Sequence, residues 1–205
     1  MNVFTPSGSL SVSAGNTKMG AIPSVSLPPV TTCRADSPCK KDCYACKLCR
    51  LRPAVRNAYE RNLDLYRQNP DQYFRELSAY MTISQFFRVH VSGDIPDPDY
   101  FARLVKVARQ NKGCHILMFT KQHEIINDYI TGGGKIPGNL KIIFSDWGNW
   151  HCDNPNNFPT SNVIFKDQPI PENWKICGGN CFECVCRGTG CWTLKKGETI
   201  AFYKH

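Results

Sequence analysis

The spacing of apolar positions divides the chain into three textures. From Pro53 onward, Val55, Tyr59, Leu63 and Tyr66 recur every three or four residues, which predicts a helix with proline at its first position. Asn69-Pro70 reads as a cap followed by a first helical residue, and Tyr73, Phe74, Leu77, Tyr80 and Met81 carry a second helix. Strands then alternate with helices. Phe86–Val91 (FFRVHV) is a short β-rich run that stops at Ser92-Gly93-Asp94. Asp97-Pro98 caps a helix bearing Phe101, Leu104, Val105 and Ala108, closed by Gly113. His115–Phe119 is a second strand, followed by a helix with Ile125, Ile126 and Tyr129. Leu140–Ser145 is a third strand, Val163–Lys166 a fourth, and Thr199–Tyr203 a closing one.

Strand-helix-strand repetition at this spacing predicts right-handed crossovers and a parallel sheet. The length allows roughly four or five such units, short of the eight in a complete barrel. The expected fold is therefore α/β: a partial TIM-barrel-like parallel sheet of (βα) units, flanked by cysteine-rich N- and C-terminal metal-binding segments. Residues 1–32 are serine-rich, carry one charge (Lys18) and end in Pro28-Pro29, which predicts an extended or disordered arm. Residues 33–205 are expected to form a single domain.

Cysteine usage changes the picture. The chain has 205 residues, 41% hydrophobic and 20% charged, which suits a globular core, but twelve of them are cysteine. No apolar run reaches the ~20 residues of a membrane helix. The first thirty residues lack the basic and apolar regions of a signal peptide. The expectation is a cytoplasmic protein that keeps its thiols for metal.

Ten of the twelve cysteines form two groups. The first is Cys33-x5-Cys39-x3-Cys43-x2-Cys46-x2-Cys49, within residues 33–49, and the second is Cys177-x3-Cys181-x2-Cys184-x-Cys186-x4-Cys191, within residues 177–191. Both contain C-x3-C-x2-C. Two or three residues between thiols let one short loop wrap a soft ion or a cluster, a spacing shared by iron–sulfur and zinc sites. Zinc ribbons favour paired C-x2-C knuckles, so one or two 4Fe-4S clusters are the leading expectation and zinc the alternative. Five thiols exceed four ligands, leaving at least one spare in each group. Cys114 and Cys152 stand apart, and Cys114 opens an apolar strand as a small buried hydrophobe does.

In α/β folds, ligands collect at the carboxyl ends of strands. Here these carry Ser92-Gly93-Asp94, Thr120-Lys121 and Ser145-Asp146, small and polar groups suited to a charged cofactor. A C-x3-C-x2-C near the N-terminus followed by a strand ending VSGDIP resembles the start of a radical S-adenosylmethionine enzyme. The resemblance implies Cys39, Cys43 and Cys46 as ligands of a four-iron cluster with one open iron. It also implies Ser92, Gly93 and Asp94 at the turn that receives the cofactor's amino group, with Thr120 and Ser145 at later strand ends. The second group would then hold an auxiliary cluster. The aromatic residue that usually precedes the third cysteine is absent, Ala45 standing there with Tyr44 one place earlier.

A wider resemblance rests on NTKMG, SLPP, Thr32-Cys33, CYA at 43–45, RVHVSGD, FTK and the late cysteines. Together these are similar to the phage-associated "gene product 88" family. This resemblance implies Cys33, Cys39 and Cys43 as an alternative triad, with Cys33 and Cys49 as alternates, and it implies metal more than any reaction. A radical enzyme or a degenerate relative, served by an electron donor, is the leading functional expectation. An electron-transfer module with fully ligated clusters is another.

Net charge supplies the competing reading. The formal charge is +8, and two clusters at about −2 each would bring it to about +4. Eight Lys or Arg against three acids lie between Lys40 and Arg67. A zinc-stapled phage protein could set Lys40, Lys41, Lys47, Arg50, Arg52 and Arg56 on nucleic-acid phosphate, with Tyr59 or Tyr66 stacking on bases. Arg88 and His90 are expected on one strand face, with His90 a candidate ligand or proton-transfer group and otherwise the partner of a carboxylate. His151 beside Cys152 is an outside candidate ligand, and His205 is terminal.

Overall fold

The computed structural model describes residues 3–4, 10–166 and 168–204. Six α-helices and nine strands alternate over most of that length. Proline opens α2 (Pro53–Gln68), α3 (Pro70–Thr82) and α4 (Pro98–Gln110), where its missing N–H costs nothing. The Asn69 and Asp97 side chains cap α3 and α4 by accepting from the Gln72 and Tyr100 amides. Both caps match the sequence expectation.

The strands are β1 (Val3–Phe4), β2 (Val12–Ser13), β3 (Ser24–Val25), β4 (Phe86–Val89), β5 (His115–Thr120), β6 (Leu140–Ser145), β7 (Thr160–Ile164), β8 (Lys175–Ile176) and β9 (Thr199–Tyr203). They form one mixed sheet in the order β1-β2-β3-β4-β5-β6-β7-β9-β8. The β1–β2 and β2–β3 pairs are antiparallel, and every pair from β3 to β8 is parallel. The fold is therefore α/β with a mostly parallel sheet. The fourth expected strand lies earlier than Val163–Lys166, because its pairing with β9 begins at Thr160 opposite Thr199.

Alternate strand positions face two different layers. Phe87, Val89, Ile116, Met118, Ile142 and Phe144 bury against Leu63, Leu77, Leu104 and Ile126 of the helices, with α5 running His123–Thr131. At about 2 kcal/mol for each large apolar side chain, this layer holds the fold together. The opposite positions, Leu117, Ile143 and Ile200, pack instead against Cys191 and Leu194. The second cysteine segment thus covers the face of the sheet that the helices leave bare.

Part of the segment expected to be an arm belongs to the core. Leu10, Val12, Met19, Ile22, Val25 and Leu27 are all at most 3% exposed, and β3 pairs with β4. Isolated apolar residues among serines satisfy a two-residue strand, a pattern too short to register as period-two alternation. Asn62 of α2 fixes this segment, accepting from the Ser11 amide at 2.7 Å and donating to the Ser11 and Ser26 carbonyls.

Candidate metal centre

The second cysteine group is assembled from three short pieces. Cys177 follows β8, and its amide donates to the Ala201 carbonyl at 3.0 Å. Cys181 opens α6 (Cys181–Cys186), whose N-cap Asn180 accepts from the Glu183 amide. Cys191 sits in a 3-10 turn spanning Gly190–Thr193. The N-terminal segment holds the helix in place, because the Cys181 amide donates to the Lys18 carbonyl at 2.9 Å. Burial pushes the Cys191 thiol up to about 12; Arg88 opposes that rise, while Cys177, Cys181 and Cys184 add to it. Burial raises Cys184 too, with Cys177 and Cys181 adding to the effect. Cys177, Cys181, Cys184 and Cys191 therefore form one electrostatic group, and the exposed Cys186 stands outside it.

Arg88 of β4 meets this group. It is 8% exposed, and its Nη1 lies 3.4 Å from Cys181 Sγ and 3.6 Å from Met19 Sδ. Its guanidinium stacks over the Phe119 ring at 4.8 Å. Its Nε has no partner among the described residues, and no carboxylate among them pairs with Arg88. Burying a cation without an anion costs several kcal/mol. Four clustered sulfurs become anionic on metal binding and would supply that anion. The donor set fits a metal centre.

The first group is looser. A 3-10 turn at Pro38–Asp42 leads through Cys43 into α1 (Tyr44–Leu51). Burial pushes Cys33 up to about 12, with Asp94 first and then Cys39 and Cys43 adding to it. Burial also pushes Cys46 up to about 11, with Cys43 and then Cys49 adding. Cys43 is thus shared between two subsets, Cys33/Cys39/Cys43 facing the β4 end and Cys43/Cys46/Cys49 along α1. Among the described residues, no three Cys, His, Asp or Glu side chains converge on the volume of a single metal ion.

A cavity of about 360 Å³ adjoins the second group. Cys177, Cys181 and Cys191 line one wall, and Tyr44, Ala45 and Leu48 of α1 line another. Tyr44 is exposed overall, yet its hydroxyl donates to the Val91 carbonyl. Ser92, Ser145, Asp146, Ser161 and Asn162 bring polar strand ends to the same space.

The expected cofactor-binding residues divide. Ser92 and Ser145 line the cavity, and Lys121 Nζ donates to Ser145 Oγ at 2.8 Å. Asp94 is engaged by the protein itself: its carboxylate accepts from Thr120 Oγ1 at 2.6 Å and from the Lys121 and Ile95 amides at 2.8 Å each. Burial raises its pKa against these bonds. Gly93 has φ +73°, and an added Cβ would lie 2.7 Å from both the Leu27 carbonyl and Thr32 Oγ1. Its space is filled by the N-terminal segment.

Three histidine and tyrosine expectations change. β4 ends at Val89 and His90 takes φ +58°, yet His90 lines the same cavity as Arg88. Its Nε2 bonds the Tyr100 hydroxyl at 3.0 Å, so its partner is a phenol and not a carboxylate. His151 Nδ1 pairs with Asp146 Oδ2 at 2.9 Å. Tyr66 is buried and donates to Asp97, so it is not placed to stack on nucleic-acid bases, and Tyr59 is half-buried and lines the cavity. His205 lies outside the described residues. Cys114 is buried at 2% exposure, within the helix-side core.

Burial holds the His90 pKa down at about 3. Between about pH 6.5 and about 3 the unfolded chain binds a proton that the folded one refuses. Stability is therefore fully present above pH 6.5 and falls by about 1.4 kcal/mol per unit as pH drops. His90→Asn tolerates the left-handed backbone and has nothing to titrate. Urea unfolding at pH 6.5, 5.5 and 4.5 should show a flatter decline for the variant; an unchanged slope would assign the acid sensitivity elsewhere.

Sequence reasoning missed Arg88 as a neighbour of the second cysteine group. The available signal was a single cation in the otherwise apolar core of FFRVHV, a position that only a buried counter-charge makes tolerable.

The fold and this site define an α/β protein with a mostly parallel sheet and two cysteine groups, the second of which lines a cavity. The chain belongs to the gene product 88 family, whose model matches residues 8–197. No curated protein and no solved structure matches it. Among the described residues, no helix is long and apolar enough to cross a membrane.

Proposed function

We propose that this is an iron–sulfur protein in which Cys177, Cys181, Cys184 and Cys191 hold one 4Fe-4S cluster. A second cluster would draw three ligands from the first group, either Cys39, Cys43 and Cys46 or Cys33, Cys39 and Cys43. The observation that carries the reading is Arg88, a buried cation whose guanidinium hydrogen bonds among the described residues go to sulfur.

When bound, such clusters supply one-electron transfer and, with S-adenosylmethionine at an open iron, radical chemistry. The chain's own contribution is separable. Arg88 would balance thiolate charge, its hydrogen bond to Cys181 favouring the reduced state. Phe119 and Tyr44 would shield the cavity from water. Strands β3 to β7, parallel and in sequential order with α4 and α5 packed on one face, support the likeness to a partial (βα) barrel. An external electron donor and a small-molecule substrate complete this reading.

Purification without oxygen, followed by iron, zinc and sulfide analysis, tests it. A brown protein absorbing broadly near about 400 nm with about eight irons per chain is the expected result. Reductant and S-adenosylmethionine then separate a radical enzyme, which cleaves the cofactor, from an electron-transfer module, which is reversibly reduced without cleavage. A colourless protein with stoichiometric zinc would sink the iron–sulfur reading.

A further inference from the structure

The first cysteine group lies in a strongly basic stretch of the chain. Residues 40–56 hold six Lys or Arg and one acid, which places +5 of the formal +8 within seventeen residues. The acid, Asp42, is paired with Lys204 at 2.8 Å. Among the described residues, Lys41, Lys47, Arg50 and Arg52 are exposed and take part in no ion pair. On α1 these cations share a face with thiols. Cys43, Cys46, Lys47 and Arg50 fall at i, i+3, i+4 and i+7, one stripe of a helix, while Ala45 and Cys49 are buried on the other side. Burial raises the Cys46 and Cys49 thiols, and Arg50 opposes the rise at Cys46 as Arg56 does at Cys49. The cations therefore stand beside the sulfurs in space as well as in sequence. Two large apolar side chains join them: Tyr44 and Leu51 lie three and four residues from Lys47 on the same side, 56% and 80% exposed.

We infer that the exposed face of α1, from Lys41 to Arg52, docks an acidic one-electron carrier protein that serves the first cysteine group. Exposed cations are solvated and need no counter-charge, so the balance argument that explains the buried Arg88 does not account for them. Four unpaired cations around one point raise the local potential, draw a negatively charged partner in and fix its orientation. Electron transfer weakens steeply with distance, so the docking point matters, and the part-exposed Cys43 and Cys46 are at that point. Leu51 and the Tyr44 ring separate a protein partner from a nucleic acid. A protein interface buries apolar and aromatic groups within a charged rim, whereas a phosphate backbone gives them nothing to pack on. In the step that docking serves, the carrier is oxidised by one electron and the bound cluster is reduced by one. The inference deepens the iron–sulfur reading and rests on it for the nature of the carrier; the surface itself is built from residues that are not ligands.

Calorimetric titration of the anaerobically purified full chain tests the surface, with an acidic flavodoxin and an acidic plant-type ferredoxin as probes. A basic cytochrome c and mixed-sequence DNA, single- and double-stranded, are the comparisons. At least one acidic carrier should bind, with affinity falling about tenfold or more between about 20 and about 200 mM salt, and cytochrome c should not bind. Lys47→Glu with Arg50→Glu should abolish carrier binding while iron content and helicity stay at parental levels. Leu51→Ser should weaken it about fivefold or more and leave the salt dependence as it is. Lys106→Glu with Lys112→Glu, at exposed positions on α4 and just after it, makes the same change in net charge and should keep parental affinity. No binding of either acidic carrier, or equal loss in the two charge-reversed pairs, would overturn the inference. Tighter binding of DNA than of the carriers, lost in the Lys47/Arg50 pair, would overturn it too and give the face to nucleic-acid phosphate. Iron analysis of the same samples keeps the two readings apart. Full iron without carrier binding removes this surface and leaves the cluster, whereas iron-free protein that binds the carriers on this face removes the cluster and keeps the surface.

Discussion

Serine in place of both Cys181 and Cys191 should lower the iron of anaerobically purified protein from about eight to about four per chain, with sulfide falling in parallel. Serine at Cys186 should leave both unchanged. The contrast follows from placement: Cys181 and Cys191 are buried in one electrostatic group with Cys177, Cys184 and Arg88, whereas Cys186 is exposed at the end of α6. The double variant should also be less stable, because Cys191 packs on Leu117 and Ile143 and Cys181 on Met19 and Ile22. Colorimetric iron and sulfide assays read the first effect and guanidinium unfolding the second. Full iron in the double variant, together with iron loss in Cys186→Ser, would remove the ligand assignment for this group.

How much of this was legible in the sequence depends on the range of the forces involved. The helices from Pro53 to Gln110 and the three strands between Phe86 and Ser145 follow from caps and from periodicity over ten or more residues, both local signals. The course of residues 10–27 does not, because its two-residue strands take their stability from β4 and Asn62, far along the chain. The strand at Thr160 was misplaced for a similar reason, its start being set by pairing with Thr199. At the site, cysteine spacing marks two groups along the chain. Spacing alone could not separate Cys186 from its neighbours, since one turn of α6 decides which thiols face the sheet. Nor could it show that Asp94 would spend its hydrogen bonds on Thr120, Lys121 and Ile95.

That same turn gives the largest stability effect expected of a single small substitution. Gly93→Ala should destabilise the protein by about 3 kcal/mol, summing the cost of a left-handed backbone for an L side chain and of a forced contact. The new Cβ would meet the Leu27 carbonyl and Thr32 Oγ1 at 2.7 Å each. Neither can retreat freely. The Leu27 amide donates to the Ser92 carbonyl at 3.0 Å, and Thr32 Oγ1 both donates to the Pro28 carbonyl and accepts from the Asp94 amide. Gly113→Ala is the matched control, with nothing within 4 Å of the added Cβ, and should stay within about 0.5 kcal/mol of the parent. In thermal unfolding the difference corresponds to about 10 °C for a chain of this length. Because Thr32 precedes Cys33, yielding at this contact would also shift the first cysteine group, so iron loss from that group should accompany the lower melting temperature. Equal melting temperatures for the two variants would show that the N-terminal segment is not clamped against the end of β4, and the packing of residues 27–32 would need redrawing.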